Sequence, residues 1–163
     1  MKYLRGCKIE LLDIADDFYE AYLRCFEGKN HHQDEYGRIV SEIVAVPGFV
    51  NGLFASELYF KYLLGDKVNR IKGKDRHNLN ILFNYLDDSI RSELLSIKIE
   101  DEYSLDKLLL NIGNGFIQWR YIFEEGNEKF GEHYPFLYTE KFLNLYLTAI
   151  KRICHECAKK ENV

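Results

Sequence analysis

No stretch of this chain approaches the roughly 18–20 consecutive apolar residues that a membrane span requires, which excludes a transmembrane helix. Nor is there a basic excess: 22 Lys and Arg stand against 26 Asp and Glu, a net charge of −4. A global field that gathers polyanions is thereby excluded, but a small local RNA site is not. There is no strand-like alternation, internal repeat, low-complexity tract or long linker. Metal-binding spacing is missing too. Cys154 and Cys157 form a C-x2-C inside a predicted helix, without a second such pair or an H-x3-5-H. His155 and His133 are poorly spaced as further ligands, and His31 and His32 fall in a solvated, loop-like run. The four cysteines therefore read as reduced thiols, and no metal or cofactor is called for. The opening MKYLRGCKIELLDIADD turns acidic before a signal-peptide core develops, so a cytoplasmic location is expected.

What is abundant is aromatic and apolar: 12 Tyr and 11 Phe, with 47% hydrophobic residues overall. A chain of 163 residues is expected to bury a full core as one domain, spanning 1–163. Residues 7–27 read as a helix with Leu11, Ala15, Phe18, Tyr22 and Cys25 on its buried face. KNHHQDEYGR breaks the pattern, and IVSEIVAV at 39–46 fits either helical turns or an extended piece. The main helix is expected from about Pro47, tolerated in a first turn, to Leu64, with Gly65-Asp66 as its stop. A third helix begins near His77 or Asn78 with Leu79, Leu82, Phe83 and Leu86 inward, and SIRSELLSI forms a fourth. Ser104 reads as the N-cap of SLDKLLLNI, a helix around Trp119-Arg120-Tyr121 follows, and a last helix runs from about Phe136 to Lys159. Its inward residues are expected to be Phe142, Leu145, Tyr146, Ala149 and Ile153. The fold class is all-α, a bundle with the 47–64 helix at its centre.

Two polar intrusions interrupt otherwise apolar helix surfaces. Glu57 lies between Leu53, Phe60 and Leu64 on one side and Val50 and Phe54 on the other, with Lys61 one turn on. Arg120 sits among Phe116, Ile117 and Phe123, with Glu124 one turn on. A charge at the centre of an apolar arc must be neutralised, paired or used, since burying it alone costs several kcal/mol. The plainer reading is a buried ion-pair network locking two central helices. The sharper one is a polar pocket that holds a phosphate or nucleotide through Arg120 and Lys61. The link DKVNRIKGKDR at 66–76 is the one basic cluster, with Lys67, Arg70, Lys72, Lys74 and Arg76 against two aspartates. It is the best single candidate for touching phosphates. Trp119 and Tyr121 read as core or interface residues, with base stacking as the alternative.

Taken in order, A-S-E-L-Y-F-K-Y-L-L, K-G-K-D-R-H-N-L-x-x-L-F and F-I-Q-W-R-Y-I-F-E resemble the motifs of prokaryotic HEPN (higher eukaryote and prokaryote nucleotide-binding) proteins. The resemblance covers about residues 50–125. One departure is the insertion of Lys74-Asp75-Arg76 between Gly73 and His77, where the family has Gly directly before His. The resemblance implies an up-and-down helical bundle, a homodimer, and action on RNA or company with a nucleotidyltransferase-type partner in toxin–antitoxin or phage-defence systems. Active ribonuclease members carry Arg, four to six residues, then His. Arg70 and His77, with six residues between, meet that spacing, but in mid-chain rather than near the last long helix. At the late position Arg120 has no such His after it.

Two function classes follow. One is a HEPN-like module that binds RNA, nucleotide or a protein partner, or serves as a purely structural dimeric module. The other is a metal-independent endoribonuclease using Arg70 or Arg76 with His77. In the second, His accepts the 2′-OH proton and Arg offers a donor fork to the phosphate. The competing role for His77 is structural: it opens a helix and hydrogen-bonds a neighbouring loop or Glu57.

Overall fold

The computed structural model describes residues 5–27, 31–37, 39–41, 45–97, Leu105, Leu109 and 136–161. They form an all-α protein with helices α1 (Arg5–Phe26), α2 (Ala45–Leu64), α3 (Leu79–Asn84), α4 (Asp88–Leu95) and α5 (Phe136–Glu161). A short antiparallel ribbon, β1 (His31–Gln33) with β2 (Ile39–Ser41), decorates the α1–α2 connection. His32 pairs with Val40 at its centre. The run at 39–46 thus divides: its first three residues are extended and its end already belongs to α2.

The apolar α2 takes the central position because no face of it is content in water. Ala55, Ser56, Glu57, Leu58, Tyr59 and Phe60 are all buried, six consecutive residues covering the whole circumference. Helix α1 runs antiparallel to it. The Phe26 and Phe49 rings meet at one end (5.4 Å), and Lys8 lies over the Tyr62 ring at the other (5.1 Å). Phe18 packs edge-on against Phe54 between them, at 4.5 Å. On another side, Phe60 meets Phe83 of α3 and Tyr146 of α5 at 6.1 and 6.0 Å. Gly52 lies where α1, α2 and α5 meet closely: a Cβ there would lie 2.9 Å from the Tyr22 ring and 3.0 Å from Leu143.

Two expected faces shift. On α5 the buried residues are Leu143, Tyr146, Leu147, Ile150, Ile153 and Cys154, while Leu145 is exposed and Ala149 half-buried. The α1 face is centred on Leu12, Ala15, Tyr19 and Tyr22, with Leu11, Phe18 and Cys25 on its margins. The α3 face is as read, with Leu79, Leu82, Phe83 and Leu86 all buried. Leu105 and Leu109 are helical and buried. Ser104, the rest of that segment, the Trp119-Arg120-Tyr121 helix and the Phe142 side chain lie outside the described residues.

Candidate functional site

Helix α2 stops where Gly65 takes φ +52°, a left-handed conformation that suits glycine, and the basic link follows as two short 3-10 helices. The first, η1, spans Gly65–Arg70 and the second, η2, spans Gly73–His77. Ile71 between them is buried and acts as the anchor. Arg76 folds back, its Nε donating to the Ile71 carbonyl at 2.6 Å. Lys67 pairs with Asp87 at 2.5 Å, tying η1 to the start of α4. Asn78 then caps α3, its side chain accepting from the Ile81 amide.

This path delivers His77 to Glu57. The Glu57 side chain is 1% exposed, and its Oε1 accepts from Lys61 Nζ at 2.5 Å and contacts His77 Nδ1 at 2.9 Å. Oε2 is buried without a hydrogen-bond partner among the described residues. The carboxylate in the apolar arc is therefore paired, by one residue of its own helix and one from the end of the link. His77 itself is half open, at 48%. Its one hydrogen bond among the described residues uses the inner nitrogen, so the outer one, Nε2, is left unengaged.

Earlier in the same link, Arg70, Lys72 and Lys74 are exposed, and none has an ion-pair partner among the described residues. No hydrogen bond or ion pair joins Arg70 to His77. Arg76 is half-buried and partly committed to Ile71, which makes Arg70 the more available cation. Arg120 and Glu124 lie outside the described residues, as do Trp119, Tyr121 and His133. Chemically, the link carries an imidazole held by a buried carboxylate and, along the same segment, three exposed cations.

A second polar node was not legible in the sequence. Asp16 of α1 accepts from the Tyr59 hydroxyl at 2.6 Å through Oδ1, and its Oδ2 meets His155 Nε2 at 2.8 Å. Lys151 stands 3.5 Å from the same carboxylate and lies over the Tyr19 ring. Burial, reinforced by the Asp16 bond, drives the Tyr59 phenol far above its usual pKa. The buried Cys154 thiol donates to the Tyr59 carbonyl at 3.7 Å, and desolvation likewise pushes its pKa well up. A protonated, engaged thiol is a poor metal ligand. Among the described residues no three His, Cys, Asp or Glu are grouped to hold a metal ion.

No family model matches this chain, and no curated protein or solved structure matches it either.

Proposed function

We propose that this protein is a HEPN-like helical module that binds single-stranded RNA through its 65–77 link, in a prokaryotic toxin–antitoxin or phage-defence setting. The observation that carries the reading is the trio Arg70, Lys72 and Lys74, exposed and without an ion-pair partner among the described residues, in a chain that is acidic overall. Cations without intramolecular partners can neutralise phosphates without first giving up an ion pair. The order of the three sequence motifs, which resembles that of the family, supports this reading, and the homodimer and nucleotidyltransferase-type partner belong to it.

Fluorescence anisotropy with a labelled single-stranded RNA tests it. Three phosphate contacts predict log K falling with log salt at a slope of about −2. Replacing Arg70, Lys72 and Lys74 together by Glu should weaken binding at least about tenfold. An affinity indifferent to both salt and the triple substitution sinks the proposal.

The second reading, a metal-independent endoribonuclease using His77 with Arg70 or Arg76, is favoured by one observation. Glu57 grips the inner nitrogen of His77 while the outer one stays open, as a general base requires. RNA cleavage in the presence of EDTA, lost in a stably folded His77→Ala protein, would establish it. Absence of cleavage in the unmutated protein leaves the binding module.

A further inference from the structure

The hydrogen-bonding inventory around Glu57 fixes more than a distance. Lys61 has only protons to offer, and an ionised carboxylate only accepts. Oε1 is thus an acceptor towards Lys61 at 2.5 Å, and the same atom faces His77 Nδ1 at 2.9 Å. An acceptor oxygen cannot satisfy an acceptor nitrogen, so Nδ1 must carry its hydrogen. In a neutral imidazole the other nitrogen then has a lone pair and no proton. The Glu57 side chain is nearly sealed from water and stands on the regular helix α2. His77, at the end of η2, is half exposed.

We propose that Glu57 is a positioning residue: it holds His77 as the Nδ1–H tautomer and so presents the Nε2 lone pair at the surface as an acceptor for a ligand hydroxyl beside the cationic link. This rests on the proposed binding of a phosphate-bearing strand by that link. It adds a chemical preference that the lysines and Arg70 cannot supply. Point charges on Lys72 and Lys74 treat ribose and deoxyribose phosphates alike. An acceptor nitrogen beside them does not, because a 2′-hydroxyl donates to it and a 2′-hydrogen does not. Lys61 contributes as a second donor to the same Oε1, which leaves that oxygen an acceptor towards the ring.

Two measurements test this, one of them needing no ligand. Long-range proton–nitrogen NMR of the imidazole rings at pH 8 should show His77 with a protonated Nδ1 and an unprotonated Nε2. In Glu57→Leu, checked for an unchanged helical signal, that preference should disappear. If His77 in the unmutated protein proves to be the Nε2–H tautomer, the orientation is overturned whatever binds. The second measurement compares a single-stranded RNA with the DNA of the same sequence by anisotropy. The unmutated protein should favour RNA by about three- to tenfold, the worth of one hydrogen bond. Both Glu57→Leu and His77→Ala, each checked for an unchanged helical signal, should reduce that ratio towards one, chiefly through loss of RNA affinity. Equal binding of RNA and DNA by the unmutated protein, with the tautomer as stated, overturns the hydroxyl selection alone. Binding of neither polymer overturns the proposed function, and the selection with it, while the tautomer measurement still judges the orientation.

Discussion

Tyr59 reaches from the buried centre of α2 to Asp16 on α1, hydroxyl to carboxylate, at 2.6 Å. The same carboxylate holds His155 of α5, so one side chain links three helices. Hydrogen bonds to charged groups contribute about 1.5–3 kcal/mol when well buried, and Asp16 keeps some solvent contact. Tyr59→Phe should therefore lower stability by about 1–2 kcal/mol. Asp16→Ala should cost more, because it strands a buried hydroxyl and releases His155 together. Urea unfolding of the two single variants and the double one should show strong non-additivity. Simple addition would mean that the bond contributes nothing.

Stability should fall in alkali earlier than helix content alone suggests. Burial raises the folded-state pKa of Cys154 and of both Tyr59 and Tyr146 above their usual values of 9.0 and 10.0. Below those values both the folded and unfolded chains keep the protons, and the three groups give no slope. Above them the unfolded chain binds fewer protons than the folded one, so stability declines as pH rises. Urea midpoints should change little between pH 8 and 9 and drop progressively at 10 and 10.5, and Cys154→Ala should soften the first part of the fall. A flat profile across that range would contradict these assignments.

The two ends of the Glu57–Lys61 pair should respond unequally to truncation. Lys61→Met leaves a nearly sealed carboxylate with His77 alone, and should cost about 1–3 kcal/mol. Glu57→Leu frees Lys61 and His77, both of which reach water, and removes an oxygen that has no hydrogen-bond partner among the described residues. Its cost should stay below about 1 kcal/mol, since apolar replacements of buried charges are often neutral. Thermal melts at neutral pH decide the order. A Glu57→Leu protein less stable than Lys61→Met would reverse the account.

Gly52→Ala sets helix propensity against space. Alanine gains about 1 kcal/mol over glycine in a helix interior. The new methyl, however, would stand 2.9 Å from the rigid Tyr22 ring and 3.3 Å from Leu147. Overpacking of that kind costs about 1–3 kcal/mol. A net loss of about 1 kcal/mol is expected. A more stable Gly52→Ala protein would show that α1 and α5 can move apart easily.

Much of this arrangement was legible because the sequence places polar groups where apolar ones belong. Glu57 stood out against Leu53, Phe54 and Phe60, and it is indeed buried and in contact with His77. The α3 face was readable from clean spacing. On α5 the apolar residues at 142, 143, 145, 146, 147, 149 and 150 nearly fill the circumference, so periodicity could not choose between Leu145 and Leu147. The ribbon's strands are three residues each, too short for alternation to register. Asp16 was hidden among the acids of α1, and His155 lies 139 residues away. Nothing local couples them; only the packing of α1 and α5 on α2 does.

Since α2 is covered on several sides, its central amides have no route to solvent through local fraying. From Ala55 to Phe60 they should exchange deuterium only when the whole molecule opens, at a rate set by the global unfolding free energy. The 65–77 link, outside the regular helices and half exposed, should exchange orders of magnitude faster under the same conditions. The last slow amides of α2 and the first fast ones of the link are thus only a few residues apart. The protein joins its most persistent segment directly to one of its most yielding, with Glu57 and His77 on opposite sides of that boundary.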